Sequence, residues 1–345
     1  MMTDQELVEA RQRRWRIDSP ERGLRTIDDA RGFLNQVGFC LLYPVLPPVL
    51  SPTWMGAWLG SERGLPLRRQ ALVDPRVKVP TELFVRMLRE KSAFEAPFGE
   101  ADTTLVISKA EFPYLYALLG DKNPKRLPES GLRQERQLQR VAFEAIQKKG
   151  PIPKRKLLEY MRKESSEAAL DRALQALWSE MRIARVDYGE EDGLVWDVIY
   201  RWAPDAVKAS LAYSRGEALS ALISRYLETT IAAGQREIED FFGHFAAKSK
   251  VTEVIKALIN AREFQFITVG ERTLVHLRPE VEPVEKSEPR PPRPPRPQRP
   301  VKRSFRPGPG ARPGSEKPAA EREKTKPAKK PVKAGSIRDM ERKKP

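Results

Sequence analysis

Residues 135–200 read ERQLQRVAFEAIQKKGPIPKRKLLEYMRKESSEAALDRALQALWSEMRIARVDYGEEDGLVWDVIY. Apolar positions recur at helical spacing in the first part, so Glu135 to Lys149 reads as a helix, ended by Gly150-Pro151. A second run extends from Lys154 to Lys163, and Ser165-Ser166 opens a third that reaches Met181. Two β-rich pieces, Ile183 to Asp187 and Leu194 to Tyr200, close the unit across a turn that starts at Gly189. Helix, helix, turn, helix and hairpin is the order of a winged helix-turn-helix.

Moving on 81 positions without a gap meets the same apolar skeleton. Leu138 pairs with Leu219, Val141 with Leu222, Ile146 with Leu227, Leu157 with Ile238 and Met161 with Phe242. In the third helix Leu170, Ala173, Leu174 and Leu177 pair with Val251, Val254, Ile255 and Leu258, and Ile183, Val186 and Gly189 match Phe264, Ile267 and Gly270. One matched helix would mean little, because amphipathic helices share spacings of three and four. Agreement through three helices, a turn and a strand is the mark of a repeat. The expected fold is mainly α with small β-hairpins, built on tandem winged-helix domains at 131–203 and 212–278.

Upstream, 25–130 reads as a separate N-terminal α+β domain, a divergent winged helix being its other form. Thr26 is an N-cap with Asp28 and Asp29 in the first turn of a helix to Val37. The apolar run Gly38 to Pro44 and a proline-broken segment with Trp54 and Trp58 follow. Helices are expected at 81–91 and 109–119, with a strand at Thr104 to Ser108 between them. Asp121-Lys122-Asn123-Pro124 and Pro128 mark the boundary. The arm at 1–24, with Arg11, Arg13, Arg14 and Arg16 around Trp15, reads as frayed and solvated.

The net charge of +16 is unevenly placed. Pro289 to Pro345 holds 19 of the 63 Lys and Arg but 5 of the 47 Asp and Glu, leaving 44 basic and 42 acidic residues before it. The basic character therefore belongs to the tail at 279–345, whose Pro-Arg repeats around Arg290, Arg293 and Arg296 cannot form a helix or a central strand. Such a tail neutralises phosphates without reading sequence, a solubilising role being the alternative. The single cysteine, Cys40, excludes a disulfide framework and a thiolate zinc site. With no apolar N-terminal run or span of membrane length, the expected compartment is a reducing cytoplasm, nucleoid-associated, with no membrane partner.

Across about residues 25 to 277 the chain resembles the bacterial winged-helix DNA glycosylases of the AlkZ and YcaQ type, in their AlkZ-related branch. The resemblance rests on the tandem units and on two runs, Val37-Gly38-Phe39-Cys40-Leu41-Leu42-Tyr43-Pro44 and Phe112-Pro113-Tyr114-Leu115-Tyr116-Ala117-Leu118. It implies a scaffold that handles DNA. In catalytic members a glutamine, an apolar residue, then glutamine or aspartate serves hydrolysis of an alkylated nucleotide's glycosidic bond. Laid on that pattern by its glycine and proline, this chain has Cys40 and Leu42 at the two positions, and neither can replace an amide or carboxylate that holds a water. Shifting the frame offers Gln36, whose partner would be Gly38, without a side chain.

No other catalytic constellation stands out. His244 and His276 lack the partners of a zinc set, no glycine-rich phosphate loop is present, and Glu111 with Glu82, or Glu190 with Glu191, read as solvated carboxylates. Catalytic residues, metals and cofactors are therefore expected to be none.

A helix-turn-helix reads DNA through the start of its third helix and crosses the backbone with the helix before it. In the first unit the wing Gly189-Glu190-Glu191-Asp192-Gly193 is acidic and the third helix is mixed, leaving Lys154, Arg155, Lys156, Arg162 and Lys163 as the better contacts. In the second unit Lys248, Ser249, Lys250, Thr252, Lys256 and Asn260, with Arg272 in the wing, form the more credible face. Trp178, Trp196, Tyr200 and Trp202 are expected to pack, whereas Trp54 and Trp58 could line a groove. The reading is a non-catalytic DNA-binding protein whose basic tail adds sequence-independent affinity. An active glycosylase on alkylated or crosslinked bases and a winged-helix interaction subunit with a protein partner are the alternatives.

Overall fold

The computed structural model describes residues 2–65, 74–99, 103–127, 134–161, 166–189 and 193–278, with the side chains of 134 and 135 excepted. Arg162, Lys163, the wing residues Glu190, Glu191 and Asp192, and the tail with Arg290, Arg293 and Arg296 lie outside the described residues.

The chain opens with α1 (Asp4–Trp15), started by a capping box between Thr3 and Glu6. After a 3-10 turn at Pro20–Arg22 comes α2 (Ile27–Val37), where the Thr26 hydroxyl accepts from the Asp29 N–H and Asp29 caps back. Then follow β1 (Phe39–Leu41), α3 (Trp54–Leu59), α4 (Pro75–Arg89), β2 (Ala93–Pro97), β3 (Thr104–Ser108) and α5 (Phe112–Leu119). The middle third holds α6 (Gln134–Lys149), β4 (Ile152–Pro153), α7 (Lys154–Met161), α8 (Glu167–Ser179), β5 (Ile183–Gly189) and β6 (Gly193–Val198). Short helices α9 (Ile199–Trp202) and α10 (Pro204–Ser210) lead to α11 (Arg215–Thr230), β7 (Ala232–Ala233), α12 (Gln235–Phe242), α13 (Lys248–Asn260), β8 (Phe264–Val269) and β9 (Arg272–Leu277).

Each third closes a three-stranded antiparallel sheet with the same strand order, β1-β3-β2, β4-β6-β5 and β7-β9-β8. The 81-residue offset holds at both ends of α7 and α12, and of α8 and α13. It slips in the hairpin, where Ile183 faces Val198 but Phe264 faces Leu277. The last hairpin is two residues shorter: Gly270, at φ 57°, allows a two-residue loop between Val269 and Arg272 where the middle one has three, and the middle strand also carries a bulge between Arg185 and Asp187.

The N-terminal region carries the same order a third time, although the sequence set it apart as an α+β domain. Its long loops hide the likeness: the first strand and the hairpin start 54 positions apart (39 to 93), against 31 in the middle third (152 to 183). Further differences concern element bounds and one missed strand, and the helix expected at 109–119 starts only at Phe112, with Pro113 in its first turn. The helix expected at 81–91 starts at Pro75, because Asp74 caps it by accepting from the Arg76 N–H and proline fits the first helical turn. Strand β2 was not foreseen, since Ala93–Pro97 is buried throughout and shows no alternation. The strand expected to reach Tyr200 stops at Val198, where α9 begins.

The arm is not frayed. Leu7, Arg11 and Trp15 are buried on one face of α1. Arg11 donates from Nε to the Thr230 carbonyl at 2.9 Å and from Nη2 to that of Ala232, Arg14 donates to the Glu228 carbonyl, and Trp15 Nε1 to that of Thr229 at 3.0 Å. The last carbonyls of a helix have no intrahelical donor, so α1 supplies the end of α11 with partners from far away in sequence. From the other side, Thr229 Oγ1 donates to the Val37 carbonyl at 2.8 Å and Tyr226 to that of Leu50 at 2.7 Å. Arg225 donates from Nε to buried Glu111 at 2.8 Å. Its side chain lies over Gly38, at φ 76°, where a Cβ would fall 2.5 Å from Arg225 Cγ.

A second joint ties the middle third to the first. Arg185 and Glu95, both buried, pair at 3.0 Å, and the guanidinium stacks 3.7 Å from the Trp178 ring centroid. Arg182 gathers the connecting segment, binding Asp121 at 2.6 Å and the carbonyls of Asn123 and Arg126 at 3.0 Å. The exposed pair of Arg89 and Asp187, at 2.6 Å, lies on the same side. Glu95→Ala is expected to lower stability by about 3–5 kcal/mol, since it strips a carboxylate from a buried guanidinium. Arg89→Ala should cost under about 1 kcal/mol. Urea unfolding midpoints of the two variants check the contrast.

Candidate nucleic-acid interface

Strand β1 carries Cys40, and Leu42 follows its last residue; these are the two positions that the resemblance sets against the catalytic pair. Successive side chains of a strand point to opposite faces. Phe39 and Leu41 enter the core shared with α5, α11, α12 and α13, while Cys40 and Leu42 enter the core of the first third, among Phe33, Val37, Trp54 and Met87. The backbone is equally occupied: Cys40 faces Val106 in the sheet, Leu41 N–H donates to the Pro52 carbonyl, and Leu42 N–H to that of Thr104. Cys40 is 0% exposed, and burial pushes its thiol pKa well above the ordinary range. A thiolate nucleophile is excluded there, as is a side chain holding water. Gln36 lies on the exposed face of α2, away from this core.

The carboxylates weighed as an acid and base do not form a pair. Glu111 is buried at the start of α5 and bound by Arg225, whereas Glu82 is exposed near Lys78 at 4.0 Å. His276 Nδ1 lies 2.7 Å from the Ile231 carbonyl, and the His244 ring lies 4.3 Å from that of Phe98. Among the described residues no group of three His, Cys, Asp or Glu stands where it could hold a metal.

Among the described residues, most of the nominated cations are already engaged. Lys154 sits between Glu167 at 2.9 Å and Asp171 at 2.7 Å on α8, and Arg155 lies 3.8 Å from Glu159. In the last third, α12 sets carboxylates beside α13 and the hairpin. Asp240 takes Lys248 at 2.6 Å, Glu239 accepts from Thr252 at 2.7 Å, and Glu237 takes Arg272 at 2.8 Å. Lys250 pairs with Glu253 at 2.6 Å on its own helix. The hydrogen bond from Lys248 holds the Asp240 carboxyl below its usual pKa. Lys156, Ser249 and Lys256 are exposed, and among the described residues Lys156 and Lys256 form no ion pair.

The aromatic residues are structural. Trp178 and Trp196 are buried, and Tyr200 and Trp202 half-buried, as expected. Trp54 and Trp58 do not line a groove: they pack 6.2 Å apart in the first core, Trp54 donating to the Pro80 carbonyl at 3.2 Å. A basic feature not foreseen in the sequence is a cavity of about 200 Å³ lined by Lys125, Arg126 and Arg140 beside Phe143 and Glu144. It forms because Arg182 draws the connecting segment toward α6, a contact that residue spacing does not announce.

The family model for "DNA glycosylase AlkZ-like" matches residues 76–300, and the chain belongs to that family. Among solved structures, the Streptomyces sahachiroi DNA glycosylase AlkZ is similar in fold, with a TM-score of 0.50 and 14% identity over 80% of this chain and 70% of that one. No curated protein matches. The family match begins in α4, beyond the Gly38 to Pro44 run.

Burial of Cys40 has a direct readout. In the native protein its thiol is expected to resist a disulfide reagent and to react on unfolding. Cys40→Gln should lower stability by at least about 2 kcal/mol, because an amide would enter a filled apolar core without partners. Thiol titration and urea unfolding check both outcomes.

Proposed function

We propose that this AlkZ-like protein binds DNA without excising bases. The first, middle and last thirds act as three winged helices in tandem, and the basic tail adds affinity that does not depend on sequence. The observation that carries this reading is the placement of Cys40 and Leu42, both at most 9% exposed, inside the first apolar core. Hydrolysis of a glycosidic bond needs a group that positions water and one that stabilises developing positive charge. Neither side chain does so.

Contact with DNA then rests on surface cations. The ion pairs on α12 and α13 are exposed and individually weak, so phosphates compete with their carboxylates for Lys248, Lys250 and Arg272. The neutralised α13 face also favours a second reading, in which this unit binds a protein and the tail alone meets nucleic acid.

The test is binding of full-length and tail-deleted (1–288) protein to duplex DNA over a range of salt, beside a base-release assay on alkylated DNA. Both forms are expected to bind at low salt. The full-length slope of log affinity against log salt should be steeper, near −5 in total if roughly six charges engage. Absence of binding by either form would leave the protein-partner reading, and base release would show an active glycosylase. Asp240→Asn frees Lys248 and should tighten binding roughly threefold at low salt if α13 faces DNA. An unchanged affinity would place the duplex elsewhere.

A further inference from the structure

The arginines around Trp15 have a second role besides closing the end of α11. Arg16 takes a left-handed conformation, φ 57°, and its N–H donates to the Arg13 carbonyl while Ile17 N–H donates to that of Gln12. This sharp stop folds the chain back toward the 3-10 turn at Pro20–Arg22 and the exposed face of α2. Between them lies a cavity of about 380 Å³, lined by Arg13, Arg14, Arg16, Arg22, Glu21 and Gln36.

Four guanidiniums and one carboxylate line this cavity, and the Asp29 carboxylate stands near enough to Arg16 to feel its charge. Arg22 shares Asp18 at 2.7 Å, and Arg14 is turned to the Glu228 carbonyl. Arg13 and Arg16 form no ion pair among the described residues. Gathering like charges costs energy unless an anion is bound, and guanidinium forks match phosphate oxygens two at a time. The helix that presents them is anchored on either side by Arg11 and Trp15, so the arginines need little further ordering. A cavity of this size admits a phosphate with its sugar, and the Gln36 amide is the neutral donor and acceptor on its wall.

We propose that this cavity is a phosphate-binding site, with Arg13 and Arg16 as its principal ligands, and that it takes a phosphate of DNA. The source of the phosphate rests on the DNA-binding reading, whereas the site itself does not. An internal phosphodiester and a terminal 5′-phosphate share this chemistry.

The test compares full-length wild type, Arg13→Gln, and Arg13→Gln/Arg16→Gln, with thermal midpoints reporting on folding. Inorganic phosphate should broaden or shift in phosphorus NMR with wild type and not with the double variant. On duplex DNA the double variant should bind about tenfold more weakly, with a salt slope shallower by about 1. An equal loss on 5′-phosphorylated and dephosphorylated duplexes marks an internal phosphate, and a loss confined to the phosphorylated one marks a terminus. If the double variant unfolds early, Arg13→Gln carries the comparison, with Arg13→Lys expected to restore the slope. Wild type binding DNA with the same slope and affinity as the variants, or failing to bind inorganic phosphate, overturns the site. Arginine-dependent binding of inorganic phosphate by a wild type that ignores DNA would overturn only the DNA-binding reading.

Discussion

Phe39–Leu41 is three residues long, yet apolar partners occupy both of its faces. One face completes the core of the first third, and the other is pressed into the cluster around α11 and α12, where the rings of Phe39 and Phe241 stack 5.6 Å apart. A strand enclosed in this way tolerates apolar side chains at every position. The same demand accounts for Cys40 and Leu42, so the apolar side chains there and the close packing of first and last thirds share one physical origin.

How much of this was readable in advance differs by region. The middle and last thirds declared themselves because their elements follow one another without long loops and keep their spacing through the helices, and because Ser166 caps a helix where Ser165-Ser166 announces one. The first third shares their topology but spreads it over long connections, so no constant offset reveals it. Trp54 and Trp58 misled for a related reason: prolines around them resemble a loop, whereas Thr53 caps a short helix that turns both rings inward. The arm misled because arginine usually means surface, and here Arg11 spends its donors on helix carbonyls.

The candidate site shows a sharper limit. Cations on α7 and α13 were visible as residue types, but their carboxylate partners come from a neighbouring helix, as with Lys154 and Asp171 or Lys248 and Asp240. Charge along one helix says little about the net field when the adjacent helix carries the opposite sign. The arginine cavity is the converse case. Its first three members form a visible run, yet Arg22 and Gln36 join them only because Arg16 reverses the chain and α2 packs nearby.

The bond between Arg11 and Thr230 closes a separation of 219 residues. During synthesis the arm emerges long before the helix end it serves, and its basic side chains stay in solution until the last third has formed. Contacts of such range are entropically costly to close and form late. The arm therefore becomes part of a rigid joint only when the final repeat is in place.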